Sequence, residues 1–238
     1  MKTISSLAVV TALAALGLGS PRAQAADEEG LAVAIVYDTS GSMQEQVRDR
    51  DGKSAPKYVI ANRALIAIAK QIQTFATNSA SGTRRRIDAG LYVFQSPGAR
   101  GAVKFGPFDS RAIENWAGTF SSPSGNTPLG NAVNTAAQAV LKSPLSRKHV
   151  LVITDGINTT GPSPAVVIPK LRQQADQNHT SLSVHFVAFD VDAKVFEPVK
   201  KLGATVVGAS DEKQLNGQLE FILQKKILLE EEETPAKK

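Results

Sequence analysis

The stretch that decides the fold is Leu31-Ala32-Val33-Ala34-Ile35-Val36-Tyr37, followed at once by Asp38-Thr39-Ser40-Gly41-Ser42-Met43. An apolar run of this length with no polar interruption indicates a strand that is buried on both faces, as in a parallel sheet covered by helices. Asp38 then lies at the carboxyl-terminal end of the strand. In open α/β sheets this end faces the crevice where ligands bind.

The loop after this strand carries oxygen ligands at every second position. Asp38, Ser40 and Ser42 alternate along it, and Gly41 allows a tight turn. One carboxylate and two hydroxyls can therefore point to a common centre, and such hard oxygen donors suit Mg²⁺. Mg²⁺ prefers octahedral coordination at about 2.1 Å and seldom receives all its ligands from protein, so the site would keep a position for another group.

A second apolar run, His149-Val150-Leu151-Val152-Ile153-Thr154, repeats this pattern and ends at Asp155-Gly156. Two parallel strands that each end in a carboxylate bring these acids into one crevice when the strands are neighbours. Between the two runs, the stretch 121–128 is rich in turn formers, and Pro128 begins a predicted helix. Thr127 therefore lies at or just before a helix N terminus, where an N-cap is the simplest role; a metal ligand is a second role, and the two are not exclusive.

Asp38, Ser40, Ser42, Thr127 and Asp155 together resemble the metal-ion-dependent adhesion site of a von Willebrand factor type A (vWA) domain. The family pattern is D-x-S-x-S on the first loop, Thr on the second and Asp on the third, and all five positions match in order. The resemblance implies that the three hydroxyls bind the metal directly and that the two carboxylates hold it partly through water. It implies Mg²⁺, with Mn²⁺ or Ca²⁺ as alternatives, and a Glu or Asp of a protein partner in the vacant position.

Strands and helices alternate along the rest of the chain, which predicts an α/β fold with a doubly wound, mostly parallel sheet and helices on both faces. The stretch 101–108 is glycine-rich, so a short antiparallel edge strand is expected there. The polar stretch 44–56 is expected to be a surface loop or turn. Predicted helices cover 57–78, 111–116, 128–142, 164–177, 193–202 and 211–229, and predicted strands cover 31–37, 87–94, 101–108, 149–154, 182–189 and 204–207.

Two further acids, Asp190 and Asp192, follow the strand predicted over 182–189 and lie on the same rim as the metal loops. Asp192 is most simply the N-cap of the next helix. For Asp190 the alternatives are another cap and an acid that supports the metal ligands from behind.

The N terminus has the features of a secretory signal peptide over residues 1–25: a basic Lys2, an apolar segment over 7–19 and a small-residue cleavage site at Ala25. The apolar segment falls short of the ~20 residues that span a bilayer, so we expect cleavage rather than a membrane anchor. This predicts a bacterial exported protein, periplasmic or extracellular, with a vWA domain over 26–229, a charged tail over 230–238 and no later membrane span.

Composition narrows the classes of partner. The chain has 238 residues, 42% of them hydrophobic, which is enough for one large core. It has no cysteine, so an exported domain of this kind depends on packing rather than on disulfides. Loss of the signal peptide lowers the net charge from +5 to +3, and only 5% of residues are aromatic, so nucleic acid is a poor candidate. We expect a monomer that binds protein.

A metal-dependent hydrolase of phosphate or acyl esters is the main alternative, because Mg²⁺ can polarise a phosphoryl oxygen. In such hydrolases an acid usually stands two residues after the nucleophilic Asp, but this chain has Ser40 at that position. It also has no Gly-x-Ser-x-Gly elbow. His149, His179 and His185 are all distant from Ser40 in sequence, so a Ser/His/Asp triad would require a tertiary contact. We therefore expect no enzyme, and an accessory subunit of a larger envelope complex is a further alternative.

Overall fold

The computed structural model describes residues 28–78 and 85–229 and is built around a six-stranded sheet. The predicted signal peptide over 1–25 and tail over 230–238 lie outside the described residues. The strands are β1 (Glu28–Tyr37), β2 (Gln46–Arg48), β3 (Ser54–Pro56), β4 (Ile87–Gln95), β5 (Gly98–Pro107), β6 (Leu145–Thr154), β7 (Ser183–Phe189) and β8 (Thr205–Ala209). The helices are α1 (Lys57–Thr77), α2 (Ser110–Thr119), α3 (Leu129–Leu141), α4 (Pro164–Gln177), α5 (Glu197–Lys201) and α6 (Glu212–Ile222).

The strands of the large sheet are ordered β5-β4-β1-β6-β7-β8. All of them run parallel except β5, which pairs antiparallel with β4 at the edge. This confirms the predicted doubly wound sheet and its antiparallel edge strand. The edge strand begins at Gly98 rather than at Gly101, because Ser96 and Pro97 form a tight turn and pairing with β4 starts directly after it, at Gln95↔Gly98.

Side chains of β1 divide the core into two layers, because alternate residues of a strand point to opposite faces. Leu31, Val33, Ile35 and Tyr37 pack with α1, α2 and α6, whereas Ala32, Ala34 and Val36 pack with α3, α4 and α5. All seven residues are fully buried. Both faces of the sheet are therefore covered by helices, as the uninterrupted apolar run predicted. Within the described residues, none of the helices combines the length and the apolarity needed to cross a membrane.

The polar stretch after the first loop is more regular than predicted. The chain forms a 3-10 turn over Gly41–Gln44 and then a small antiparallel hairpin of β2 and β3. The Asp49 carboxylate closes the hairpin turn by accepting the N–H groups of Asp51 at 3.0 Å and Lys53 at 2.8 Å. The predicted surface turn is present between β2 and β3, but the residues on either side form strands rather than a loop, because an aspartate that binds its own turn gives a polar stretch a defined structure.

The two central strands, β1 and β6, lie at the topological switch point of the sheet. From β1 the chain moves to β4 on one side, and from β6 it moves to β7 and β8 on the other. The loops after β1 and β6 therefore diverge over opposite faces and leave a crevice between them. The crevice lies at the carboxyl ends of the strands, where Asp38 and Asp155 are found.

Candidate metal centre

Asp38 is fixed by the pairing of β1 with β6. Tyr37 is in register with Ile153, and the Asp38 N–H donates to the Ile153 carbonyl at 3.0 Å. The Asp38 side chain is fully buried, with Oδ1 accepting the Ser40 N–H at 2.8 Å and Oδ2 accepting the Thr154 hydroxyl at 2.6 Å. Both carboxylate oxygens are thus oriented by neighbours on two adjacent strand ends.

Ser40, Ser42 and Asp155 meet across the crevice. The 3-10 turn over Gly41–Gln44 brings the Ser40 and Ser42 hydroxyl oxygens within 3.1 Å of each other. The Ser42 hydroxyl donates to Asp155 Oδ1 at 2.8 Å. The first loop (38–43) and the third loop (155–163) therefore meet through side chains that were predicted to share a site.

Thr127 of the second loop (121–128) completes the group. A Cβ placed on Gly156 would lie 3.7 Å from Thr127 Oγ1 and 4.0 Å from Ser42 Oγ, so both hydroxyls lie close to Gly156. The Thr127 backbone is held by Thr159, whose hydroxyl accepts the Thr127 N–H at 2.8 Å and whose N–H donates to the Thr127 carbonyl at 3.0 Å. The structure thus gathers all five predicted residues at one place.

The second loop is tied to the first by backbone hydrogen bonds as well. The Gly41 N–H donates to the Gly125 carbonyl at 3.1 Å, and the Ser124 N–H donates to the Thr39 carbonyl at 2.8 Å. These bonds and the Thr127–Thr159 pair join the three loops into one unit. A site whose supporting groups are already bonded needs little reorganisation when a ligand arrives.

The N-cap alternative for Thr127 does not match the structure. Helix α3 begins at Leu129, and its N-cap position, Pro128, has no side-chain cap. The Gly130 N–H is instead satisfied by Asn158 Oδ1 of the third loop at 3.0 Å. Sequence reasoning missed Asn158, because a cap that comes from a distant loop leaves no local signature. The Thr127 hydroxyl lies close to Gly156, near Ser42.

Lys57 is a member of the site that the sequence did not predict. It is the first residue of α1, its side chain is only 3% exposed, and its Nζ contacts three carboxylates. The distances are 2.6 Å to Glu45 Oε2, 3.1 Å to Asp155 Oδ2 and 3.1 Å to Asp190 Oδ2. The sequence did contain a signal for Lys57: the first turn of a helix favours acidic side chains, so a lysine there is unusual.

The two rim acids have different roles. Asp192 accepts the Lys194 N–H at 2.9 Å, which confirms its prediction as an N-cap. Asp190 has a left-handed backbone with φ of 54°, and its N–H donates to the Ala209 carbonyl at 2.6 Å. Its carboxylate reaches Lys57. Asp190 is thus linked to Asp155 through this lysine, as a supporting acid would be.

Burial sets the electrostatics of the crevice. Burial raises the pKa of Asp38 to about 6, and the charge of Asp155 adds to this, whereas hydrogen bonds from Ser40 and Thr154 oppose it. For Lys57, burial alone would lower the pKa, but the carboxylates of Glu45, Asp190 and Asp155 raise it above its ordinary value. The site therefore holds carboxylates whose ionised forms a nearby cation would stabilise.

The donor set fits a hard divalent cation. All five gathered side chains offer oxygen, and three of them are neutral hydroxyls. Across residues 28–78 and 85–229 there is no group of three or more His, Cys, Asp or Glu that would hold a metal. A metal bound here would therefore depend on Ser40, Ser42 and Thr127 as well as on the acids. Oxygen donors of this kind suit Mg²⁺, Mn²⁺ or Ca²⁺ rather than thiophilic metals.

The histidines lie away from this crevice. His149 lies in the middle of β6, roughly 20 Å from Asp155 along the strand at about 3.3 Å per residue. Its Nδ1 lies 3.2 Å from His185 Nε2 on the neighbouring strand. His179 follows α4 and precedes β7, so it lies at the amino-terminal ends of the parallel strands, away from Asp38 and Asp155. The tertiary contact that a Ser/His/Asp triad would require is not formed by these residues.

The surface around the crevice contains two hollows and an exposed apolar side chain. One hollow, of about 520 Å³, is lined by Gln44, Tyr58 and the second loop. The other, of about 410 Å³, is lined by residues that include Asp190 and Gln214. Ile157, in the third loop, is 54% exposed. The rim thus has hollows and an exposed apolar side chain beside the gathered oxygens.

Comparison with solved structures identifies the fold. The vWF domain of the type V pilus tip protein Mfa5 from Porphyromonas gingivalis matches with a TM-score of 0.56 and 12% identity, over 82% of this chain and 94% of that one. The PilB minor pilin from Streptococcus sanguinis matches with a TM-score of 0.59 and 16% identity, over 82% of this chain and 61% of that one. This chain therefore corresponds to about three fifths of the pilin's length.

A third similar structure is proximal thread matrix protein 1 from the mussel byssus, in a form with a zinc-occupied MIDAS motif. It matches with a TM-score of 0.54 and 16% identity, over 82% of this chain and 48% of that one. No protein-family model matches the sequence, and no curated protein matches it either. At these identities the matches establish the fold: the chain has the vWA fold that its loop motifs resembled.

Proposed function

We propose that this protein is an exported vWA-domain protein that binds another protein through a divalent cation. In this proposal Ser40, Ser42 and Thr127 hold the cation directly, and Asp38 and Asp155 hold it partly through water. The cation is Mg²⁺, with Mn²⁺ or Ca²⁺ as alternatives. It supplies an electrophilic position that a Glu or Asp carboxylate of the partner fills, and no bond is broken.

The observation that carries the proposal is the convergence of the three loops at the switch point. The hydrogen bond of 2.8 Å between Ser42 and Asp155 joins residues that are 113 positions apart in sequence, and the Thr127 hydroxyl lies close to Gly156 beside them. A purely structural crevice has no need of three hydroxyls and two carboxylates around one point. Only two acids would offset the charge of a divalent ion, so the ion would keep its attraction for another anion.

The similar proteins support an adhesive role outside the cytoplasm. Two of them are pilus components by name, and a third has a metal in its MIDAS motif. Together with the signal peptide predicted over residues 1–25, they favour an exported protein. Binding without catalysis is favoured by the same comparison and by the position of His149, which lies inside β6 roughly 20 Å along the strand from Asp155.

Binding of Mn²⁺ to the purified full-length chain tests the metal site, with free Mn²⁺ measured by electron paramagnetic resonance. We expect one Mn²⁺ per chain, displaced by Mg²⁺. Ser42→Ala and Asp38→Asn should each weaken binding by about tenfold or more, or ~1.4 kcal/mol. Asp88→Asn is the matched control, because Asp88 accepts a hydrogen bond from Ser143 at the opposite edge of the sheet and should keep native affinity.

The carboxylate step is tested separately on the Mn²⁺-loaded chain. A short peptide containing one glutamate should displace water from the metal and so reduce the water-proton relaxation that bound Mn²⁺ causes. The same peptide with glutamine in that position should have no effect. Absence of stoichiometric metal binding would refute the site, and metal binding without any response to the glutamate peptide would refute the adhesion step alone.

A further inference from the structure

We propose that Lys57 is a built-in cation of the metal centre: it orients Asp155 before metal binds, and its charge lowers the affinity of the centre for the metal. This inference rests on the proposed function, since it assigns a role to a residue beside the proposed site. Lys57 matches no position of the D-x-S-x-S, Thr and Asp pattern, so the role belongs to this chain's own sequence.

The Lys57 ammonium group has an acceptor for each of its three N–H donors. A protonated lysine has three N–H donors and no acceptor. Three carboxylate oxygens, from Glu45, Asp155 and Asp190, lie within 2.6 to 3.1 Å of Nζ. The backbone of Lys57 is fixed too, because its N–H donates to the Glu45 carbonyl at 2.9 Å. The ammonium is therefore held in one place rather than sampling solvent.

The two carboxylate oxygens of Asp155 accept hydrogen bonds from different partners, one of which is Lys57. Oδ2 accepts from Lys57 at 3.1 Å, and Oδ1 accepts from the Ser42 hydroxyl at 2.8 Å. The carboxylate is thereby fixed with one oxygen toward the gathered hydroxyls and one away from them. A metal in the crevice would share this acid with the ammonium and could not take both of its oxygens.

Charge gives Lys57 its second effect. The Lys57 and Asp155 side chains are both almost fully buried, so water screens the lysine charge poorly. A divalent cation beside Asp155 would be repelled by the ammonium on the other side of the same carboxylate. In the metal-free protein, the ammonium instead offsets the mutual repulsion of Glu45, Asp155 and Asp190. Lys57 therefore stabilises the metal-free form relative to the loaded one.

Three single substitutions separate this role from that of an ordinary ion pair. Lys57→Met keeps an unbranched side chain, one atom shorter than lysine, and removes the charge. Glu45→Gln leaves the lysine in place and removes one of its counter-charges. Arg63→Met is the matched control, because Arg63 lies on the same helix and pairs with buried Glu212 at 2.6 Å. All are made in the full chain, and the readouts are the Mn²⁺ dissociation constant and thermal unfolding with Mg²⁺ or with chelator.

The proposal predicts opposite effects for the two site variants. Lys57→Met should bind Mn²⁺ about tenfold or more tightly than native protein, since the competing charge is gone. It should unfold at a lower temperature in chelator and gain more from Mg²⁺ than the native chain does. Glu45→Gln should bind Mn²⁺ more weakly, because the lysine charge is less neutralised. Arg63→Met should lose stability at unchanged Mn²⁺ affinity.

The outcomes distinguish this inference from the proposed function. If the native chain binds no metal, the proposed function fails. If the native chain binds Mn²⁺ and Lys57→Met binds it equally or less tightly, Lys57 is only a structural ion pair and the inference is overturned. Should Lys57→Met fold only with Mn²⁺ present, the metal has replaced the ammonium and the inference is supported. Should it fold under neither condition, Glu45→Gln decides, and unchanged or tighter binding by that variant overturns the inference.

Discussion

Acidification should destabilise this protein through a pair of buried histidines on β6 and β7. His149 and His185 stack with ring centroids 5.5 Å apart. Burial lowers the pKa of His149 to about 3, assisted by the charges of His185 and Arg147. Burial also lowers the pKa of His185 to about 4, assisted by the charge of Lys226. Both rings are therefore neutral in the folded protein at pH values where they are charged in the unfolded chain.

The magnitude follows from proton linkage. In the unfolded chain a histidine titrates near 6.5, so below that pH the unfolded state binds protons that the folded state does not. Stability is then fully present above pH 6.5 and is lost as the pH falls toward the folded pKa values of about 4 and about 3. At pH 5 each histidine contributes a loss of about 2 kcal/mol, and the pair about 4 kcal/mol. Typical domains have only about 5 to 15 kcal/mol in total.

Urea unfolding at pH 7.5 and pH 5.0, in chelator at constant ionic strength, measures this loss. The histidine pair should lower the free energy of unfolding of the native chain by about 4 kcal/mol. For a slope of about 2 kcal/mol/M, this lowers the urea midpoint by about 2 M. Carboxylates also contribute to the pH dependence, so the comparison is with the double variant His149→Phe, His185→Phe. If that variant loses as much stability between the two pH values as the native chain does, the assignment to the histidines is wrong.

Two further substitutions test the packing around the crevice. Gly130→Ala should cost about 1 to 3 kcal/mol in urea unfolding and weaken Mn²⁺ binding, because a Cβ there would lie 2.0 Å from the Pro162 carbonyl oxygen and push the third loop away from the start of α3. Native stability and affinity in that variant would show that the third loop is not tightly packed against α3. Tyr37→Phe should cost about 1 to 3 kcal/mol, because the Tyr37 hydroxyl donates to Asn62 Oδ1 at 2.7 Å and its loss leaves a buried acceptor. An unchanged urea midpoint would contradict this.

The central fold was predictable because its two signals are local. The apolar runs before Asp38 and Asp155 each indicated a strand buried on both faces. The two strands are neighbours in the sheet, as they must be if their terminal acids share one crevice. Errors occurred where short-range chemistry changes the course of the chain. The helix predicted over 193–202 is a 3-10 turn followed by α5, with Pro198 in the first turn of α5 setting a new start. The last helix, predicted to 229, ends at Ile222 and continues as a π-helical turn over Leu223–Leu228.

The candidate site was predictable only as far as its motif extends. Asp38, Ser40 and Ser42 lie within five residues of one another, and Thr127 and Asp155 follow turn-rich or apolar signals of their own. Lys57, Asn158 and Thr159 were missed because each acts on a partner that is distant in sequence. A basic residue at the start of α1 breaks the local rule for helix charge, and such local violations are expected at functional positions.

The polarity of the hydrogen bonds explains how the same loops can serve the metal-free and the loaded protein. The Ser42 hydroxyl donates to Asp155 and the Thr154 hydroxyl donates to Asp38, so in both pairs the carboxylate accepts. A hydroxyl that donates its proton to a carboxylate keeps the lone pairs of its oxygen available to a cation. In the proposed site Asp155 therefore acts through Ser42 as well as through its charge, since it accepts the hydroxyl proton of a proposed metal ligand. This is why Ser42→Ala should weaken Mn²⁺ binding even though it removes no charge.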